Sequence, residues 1–209
     1  MKGDLGLIYQ LLTYAGVAVF AASGAIAAAA RKHDLITFAF FAAITGLGGG
    51  TLRDLLLGQP VFWIVDPTHL AVCVVVGALV WLVGTRPFPK RALLWLDAIG
   101  LSAFAVLGAA KATAVGVAAP VAIVMGVLTA TAGGIIRDMT AEEPSVLLRR
   151  EIYITAALAS AAAFVTVQAL GYREIAGAAG FAIGLALRAA ALRFGWTLPA
   201  FSGGLRRRD

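Results

Sequence analysis

Two Arg-Asp pairs, Arg53-Asp54 and Arg137-Asp138, are prominent among the few charged residues of this chain. Both lie in long apolar segments, where charges are costly and usually face a bundle interior or a water-filled cavity. Neighbouring residues of a helix point about 100° apart, so the members of one pair are not expected to contact each other. Each should bind a partner on another helix. Arg53 with Asp138 and Asp54 with Arg137 is one such pairing, and the alternative is that inverted copies place the two pairs near opposite faces of the membrane. These charges are predicted to form structural ion pairs, to line a hydrated path, or both.

Asp97 and Lys111 form a second charged set, fourteen residues apart in another apolar segment. On a helix this spacing places them on one face, about 21 Å apart along the axis. An acidic group near one end of a helix and a basic group near the other would suit a water-filled path across a membrane. Alternatively, Lys111 extends its amine to the lipid headgroups, as lysines near the ends of membrane helices commonly do.

Runs of glycine precede both Arg-Asp pairs. These glycines are Gly46, Gly48, Gly49, Gly50, Gly133 and Gly134. Each costs about 1 kcal/mol in a helix interior relative to alanine, so the runs predict a break or kink in both helices. Backbone groups freed by a break must face protein or water, and paired breaks in matching positions indicate a transport site. Close packing of helices through small residues is the alternative, and we favour the pore-lining break.

Threonines accompany the glycines at four positions, Thr45, Thr51, Thr129 and Thr131. Their hydroxyl oxygens are candidates to replace part of the hydration shell of a permeating cation. The sequence contains no loop of the Thr-Val-Gly-Tyr-Gly kind found in potassium filters. A path lined by these hydroxyl groups is therefore expected to discriminate weakly among ions.

A constant offset of 84 residues (137 minus 53) relates the two halves of the chain. It pairs Gly16 with Gly100 and Pro60 with Pro144, besides the glycine runs and the Arg-Asp pairs. Each repeat holds three apolar segments, an odd number, so the second copy must enter the membrane from the opposite side. We therefore predict inverted repeats, followed by a seventh segment without a partner.

The composition predicts an all-α integral membrane protein of seven transmembrane helices. Hydrophobic residues make up 61% of the chain and charged residues 13%, whereas a soluble domain has about half and about a quarter. The apolar segments predict membrane spans near 5–30, 35–57, 68–83, 91–112, 117–139, 149–170 and 173–192. One membrane domain over 1–209 is predicted to contain repeat 1 at 5–84, repeat 2 at 90–171, the seventh helix at 173–194 and a basic tail at 195–209.

The net charge of +6 reflects membrane topology and indicates no nucleic-acid partner. Most Lys and Arg residues near the segment ends fall on one side, including Arg31, Arg91 and the terminal cluster Arg206–Arg208. Cytoplasmic loops carry such an excess, so the N-terminus is predicted outside and the C-terminus inside. No His, Cys or carboxylate cluster has the spacing of a metal site, and no nucleophile lies in a catalytic pattern. We predict neither an enzyme nor a bound metal or other cofactor.

Two stretches carry a family resemblance: Gly-Leu-Gly-Gly-Gly-Thr-Leu-Arg-Asp, ending at Asp54, and Ala-Gly-Gly-Ile-Ile-Arg-Asp, ending at Asp138. They resemble the prokaryotic branch of the trimeric intracellular cation channel (TRIC) family, whose repeat is also labelled a glycine transporter domain. The resemblance implies a homotrimer in a bacterial or archaeal plasma membrane, surrounded by lipids. It implies one pore per subunit for monovalent cations, K+ chiefly and Na+, lined by the second and fifth spans kinked at their glycines. It also implies a basic residue near the pore on the fourth span, for which Lys111 is the nearest candidate.

Two other functions remain open from the sequence. A secondary transporter for a small amino acid such as glycine would hold the substrate carboxylate at half-helix amino termini beside the break. A scaffold or receptor subunit without transport activity is the third interpretation.

Overall fold

A computed structural model describes residues 2–84, 91–143 and 152–198 of the chain. The described residues form eight helices: α1 (Lys2–Ala30), α2 (Leu35–Leu56), α3 (Phe62–Val65), α4 (Thr68–Val83), α5 (Ala92–Val115), α6 (Ala119–Thr140), α7 (Ile154–Ala169) and α8 (Arg173–Phe194). Each predicted segment overlaps one helix, and α4 begins and ends at the predicted residues. The one-turn helix α3 was not predicted. The predicted basic tail lies almost wholly outside the described residues.

Five helices are long and apolar enough to cross a membrane. They are α1 over Gln10–Ala30, α2, α5, α6 and α8. The remaining long segments, α4 and α7, are apolar but have only 16 residues each. The prediction of an all-helical membrane protein is confirmed.

Local signals set several helix ends. Asp34 caps the start of α2, where its carboxylate accepts a 2.8 Å hydrogen bond from the amide of Thr37. Gly116 and Gly195 end α5 and α8 in the left-handed region, with φ of 88° and 68°. That conformation carries little steric cost only for a residue without a Cβ atom, so these glycines close the helices sharply.

The helices pack as two triplets. α1, α2 and α4 pack on one another, and α5, α6 and α7 do the same. The triplets meet where α1 packs on α5 and where α2 packs on α6, while α8 covers α5 and α7. Four helices, α1, α2, α5 and α6, therefore make the interface between the two halves.

Contacts across this interface are reciprocal under the offset of 84 residues. The rings of Phe20 and Phe104 stack with centroids 5.2 Å apart. A Cβ atom at Gly16 would lie 3.4 Å from the Phe104 ring, and one at Gly100 would lie 3.0 Å from the Phe20 ring. Because the residue earlier in α1 meets the residue later in α5, and the reverse, these two helices run antiparallel.

The crossing of α2 and α6 has the same reciprocity and brings the two backbones into contact. A Cβ atom at Gly49 would lie 2.0 Å from the Thr129 carbonyl oxygen, and one at Gly133 would lie 2.2 Å from the Thr45 carbonyl oxygen. No residue with a side chain fits at either position in this arrangement. α2 and α6 therefore cross antiparallel, at a distance that only glycine permits.

The predicted break at these glycines is wrong. α2 is helical from Leu35 to Leu56 and α6 from Ala119 to Thr140, in both cases through the glycine run. The helical cost of glycine is offset because two backbones approach closely at the crossing. Close packing, the alternative considered above, accounts for Gly49 and Gly133. A bend without loss of helical hydrogen bonds remains a prediction.

Candidate functional site

Asp54 lies at the centre of one charge cluster. Its side chain is fully buried, and its Oδ1 accepts from the Arg53 Nε at 2.8 Å and the Lys111 Nζ at 2.7 Å. Its Oδ2 accepts from the backbone amide of Phe62 at 3.0 Å, so the carboxylate also fixes the start of α3. This cluster joins α2, α3 and α5 around one carboxylate.

Arg137 lies at the centre of a second cluster and is 1% exposed. Its Nη1 lies 2.9 Å from the Asp97 Oδ1 and 2.9 Å from the Ser23 hydroxyl oxygen. Its Nε and Nη2 donate to the Asp138 Oδ1 at 2.9 and 2.7 Å. Residues of α1, α5 and α6 thus converge on one guanidinium group.

The expectation that the members of one pair do not contact each other is wrong, and the symmetric pairing between the two pairs is not formed. Arg53 contacts Asp54 directly, and Arg137 contacts Asp138, although they are sequence neighbours. The Cα–Cβ directions do diverge, but the arginine side chain is long enough to turn back toward the adjacent carboxylate. The two pairs occupy separate clusters, because each follows the α2–α6 crossing on an antiparallel helix. At 1.5 Å per residue they lie about 18 Å apart along the helix axes, too far for Arg53 to pair with Asp138.

Asp97 and Lys111 belong to different clusters at the two ends of α5. Asp97 binds Arg137, and Lys111 binds Asp54. The lysine side chain is 24% exposed, and its amine is held by a carboxylate inside the bundle rather than extended to the headgroups.

A cavity of about 430 Å³ opens beside the first cluster. We call it the Lys111 cavity, and its polar lining residues are Gln10, Thr13, Arg53, His69 and Lys111. A second cavity, of about 280 Å³, opens beside the other cluster. We call it the Asp97 cavity, and its charged lining residues are Asp97, Arg137, Asp138 and Glu143. The offset of 84 residues relates their walls, since it matches Arg53 to Arg137 and Thr13 to Asp97. The two cavities are therefore equivalent places in the two repeats.

His69 lines the Lys111 cavity, and Asp66 lies behind it. Asp66, in the turn between α3 and α4, accepts hydrogen bonds from the Tyr14 hydroxyl and the Thr68 amide. These bonds lower the pKa of its carboxyl to about 2, so Asp66 stays ionised at neutral pH. The His69 Nδ1 lies 3.1 Å from the Asp66 carbonyl oxygen, and the His69 ring stacks on Tyr14.

The four predicted threonines lie outside the walls of both cavities. Each hydroxyl donates to the carbonyl four residues earlier: Thr45 to Phe41, Thr51 to Leu47, Thr129 to Met125 and Thr131 to Val127. Thr45 and Thr129 are almost fully buried beside the α2–α6 crossing. Thr45 and Thr129 therefore belong to the α2–α6 crossing.

The other predicted glycines also make close contacts. A Cβ atom at Gly46 would meet the Cys73 Sγ at 3.1 Å, and one at Gly48 would meet the Ile136 side chain at 3.1 Å. A Cβ atom at Gly50 would lie 2.6 Å from the Phe62 ring, and one at Gly134 would lie 2.8 Å from the Tyr153 hydroxyl. Each run thus packs against neighbours over several consecutive residues.

Sequence reasoning missed Ser23, Phe62 and Tyr153. Ser23 matches Leu107 under the repeat offset, so the repeat gave no sign that it would meet Arg137. Its one signal was a hydroxyl in an alanine-rich stretch of α1. Tyr153 precedes α7 and is 2% exposed, and the Arg188 guanidinium group lies over its ring at 5.3 Å.

In the described ranges, no group of three or more His, Cys, Asp or Glu residues could hold a metal ion.

A sequence family described as "Glycine transporter" matches the chain twice, at residues 10–85 and 94–169. The two matches begin 84 residues apart (94 minus 10), which is the internal repeat offset. The UPF0126 inner membrane protein YadS of Escherichia coli strain K12 is 38% identical over 205 residues, which cover 94% of this chain and 97% of YadS. A UPF0126 membrane protein of Vibrio cholerae is 40% identical over 205 residues, which cover 95% of this chain and 84% of that protein.

A solved structure has the same fold as the whole bundle. It is the TRIC trimeric intracellular cation channel orthologue from Rhodobacter sphaeroides, with a TM-score of 0.86 and 47% sequence identity. The match covers 90% of this chain and 99% of that chain. At 47% identity the two proteins share many residues of the bundle as well as its fold.

Proposed function

Since the chain belongs to the trimeric intracellular cation channel (TRIC) family, we propose that it is a channel for monovalent cations with one pore in each subunit. A channel of this kind passes ions down their gradient and makes or breaks no covalent bond, so the chain is not an enzyme. K+ is the expected principal ion, and Na+ is expected to permeate as well.

One observation supports this function above the others: two cavities open at opposite ends of α5. The crossing of α2 and α6 and the Phe20–Phe104 stack lie between them. A path through the bundle needs only the short region between the cavities to open. Separation of α2 from α6 at Gly49 and Gly133 would join the cavities, with Thr45 and Thr129 beside the opened region.

The six glycines and four threonines are proposed to form this opening region, and the two charge clusters are proposed to border it. Each threonine oxygen keeps lone pairs after donating to its helix carbonyl, so it can still face a cation. Hydroxyl groups bonded in this way also tend to bend a helix, so of the break and the kink that the glycines predict, they favour the kink.

We also propose that the two halves are inverted repeats in one membrane domain, with α1, α2, α4, α5, α6, α7 and α8 all crossing the bilayer. The antiparallel, reciprocal contacts of α1 with α5 and of α2 with α6 support an axis in the membrane plane. The excess of Lys and Arg on one side supports an outside N-terminus and a cytoplasmic C-terminus.

The proposed assembly is a homotrimer in the plasma membrane of a prokaryote, in contact with its lipids. YadS is an inner membrane protein, and the Rhodobacter sphaeroides relative is a trimeric cation channel. High identity to both supports the same location and assembly for this chain.

Recording from purified protein in planar bilayers tests the channel. In KCl gradients we expect unitary current steps that reverse near the K+ equilibrium potential, because a carrier turns over too slowly to give such steps. The continuous α2 and α6 also lack the half-helix amino termini that would hold the carboxylate of glycine. Saturable glycine uptake into vesicles without current steps would instead show that the protein is a carrier. If neither current nor uptake is detected, the scaffold or receptor subunit without transport activity is the remaining interpretation.

A further inference from the structure

The two cavities differ in charge although the repeat makes their walls equivalent. Each lies beside an Arg-Asp pair, Arg53-Asp54 or Arg137-Asp138, whose charges cancel. The Lys111 cavity adds a cation, where the equivalent position in the other cavity is Ala27. The Asp97 cavity adds an anion, where the equivalent position is Thr13. One extra charge of each sign therefore remains, one in each cavity.

We propose that this opposite charge makes the channel rectify, so that cations pass more readily from the Asp97 cavity to the Lys111 cavity than in reverse. The inference rests on the proposed channel function and specifies which residues set its direction. Asp97 recruits cations at one entrance, and Lys111 repels them at the other.

Because they are shielded from bulk water, the charges of Asp97 and Lys111 act strongly on cations in the cavities. Asp97 is 1% exposed and shares the Arg137 guanidinium group with Asp138, so this cluster keeps one negative charge. Away from bulk water a charge acts more strongly on its surroundings. Lys111 is paired with Asp54, but Arg53 shares that carboxylate, so the cluster keeps one positive charge.

Other charged groups near the cavities do not reverse this difference. Glu143 also lines the Asp97 cavity and has the same sign, although Arg31 lies 3.8 Å from it. Arg188 is fully buried behind the Tyr153 ring and does not line the cavity. Among the residues that line the Lys111 cavity there is no acidic side chain, and the carboxylates of Asp54 and Asp66 lie behind Lys111 and His69.

The direction follows from how fixed charge concentrates mobile ions. A site lined by one sign of charge raises the local concentration of counter-ions at its entrance. When the voltage drives cations into the pore through the Asp97 cavity, that entrance is already rich in cations. When it drives them through the Lys111 cavity, the entrance is depleted of them. Current at equal and opposite voltages should then differ.

Single-channel recording in symmetric KCl tests the inference, through the ratio of the larger to the smaller current at equal and opposite voltages. This ratio does not depend on which way the channel inserted. We expect about twofold or more at low salt, because counter-ion enrichment is then large. It should fall toward one as KCl rises from about 0.1 M to about 1 M, where the Debye length shrinks from about 10 Å to about 3 Å.

Variants that restore the symmetry of the cavities give the sharper test. Lys111→Ala and Asp97→Thr each install the residue found at the equivalent position, and each should lower the ratio. The double variant should bring the current ratio near one, while Lys111→Arg, which keeps the charge, should preserve it.

Equal currents in the unmodified channel at low salt would overturn the inference, as would an unchanged ratio in the double variant. The salt series needs no variant, so a failure of Asp97→Thr to fold leaves a decisive measurement. Complete absence of cation current would overturn the proposed channel function instead.

Discussion

Asp54 accepts hydrogen bonds from a guanidinium group, an ammonium group and a backbone amide, which belong to α2, α5 and α3. A fully buried carboxylate is stable only while such donors compensate the loss of water. The donors are equally dependent on it, because Arg53 is also buried. The ion pair therefore holds three elements together through one side chain.

Replacement of Asp54 by Asn should destabilise the fold strongly. It would leave Arg53 and Lys111 without their shared counter-charge, at a cost of about 3–5 kcal/mol. Chemical or thermal unfolding in detergent micelles would measure this loss. Lys111→Ala is the matched control, because Asp54 then keeps Arg53 and the Phe62 amide. Equal effects of the two substitutions would show that Asp54 is not the centre of the cluster.

The sequence identified every charged member of both clusters but not their pairing. Helical geometry places Arg53 and Asp54 on diverging directions, yet a guanidinium carried on three methylene groups reaches an adjacent carboxylate. Which cluster contains Lys111 depends on the direction of α5 relative to α2. That direction is a property of the tertiary structure, which the sequence pattern does not give. Ser23 and Phe62 contribute through positions that neither the repeat nor the motif marks.

At the scale of elements, glycine acts at the α2–α6 crossing by allowing contact rather than by breaking a helix. Gly49 and Gly133 each oppose a threonine carbonyl of the other helix. Helix propensity alone could not decide between a break and close packing, because the packing energy that offsets the helical cost of glycine comes from the partner helix. Helix bounds were more predictable, as α4 illustrates, because Pro67 and Gly84 mark its ends in the sequence.

Alanine at Gly49 or Gly133 should force α2 and α6 apart. The new Cβ atom would lie 2.0 or 2.2 Å from a backbone oxygen, which cannot move without its helix. We expect a loss of about 1–3 kcal/mol from overpacking, measured by unfolding in micelles, and a changed open probability in bilayers. Gly177→Ala is the control on α8, where the nearest atom lies 3.9 Å from the new Cβ. If Gly49→Ala is no less stable than this control, the crossing is not as close as described.

At the scale of the whole molecule, the two triplets pack face to face and the seventh long helix covers one of them. If the triplets are inverted repeats, as proposed, the two sides of the membrane are nearly equivalent for the fold. The distribution of Lys and Arg is then what favours one orientation over the other.

Reporter fusions and cross-linking test orientation and assembly together. A fluorescent protein fused after Asp209 should fluoresce, because the C-terminus is expected in the cytoplasm. An alkaline phosphatase fused there should be inactive, since it needs the oxidising exterior.

Chemical cross-linking of the purified protein should give a ladder that ends at three subunits. An active phosphatase fusion would contradict the orientation, and a ladder that ends at two would contradict the trimer.

The 16 residues of α4 measure about 24 Å, while the hydrocarbon of a bilayer is about 30 Å thick. Gly84 ends the helix with a φ of 72°, and Pro67 precedes it, so α4 has little scope to lengthen. If α4 crosses the bilayer, as proposed, the acyl chains beside it have to shorten or tilt, at a cost that grows with their length. The bilayer should then be thinner beside α4, and lipids with shorter tails should be enriched on that side of the protein.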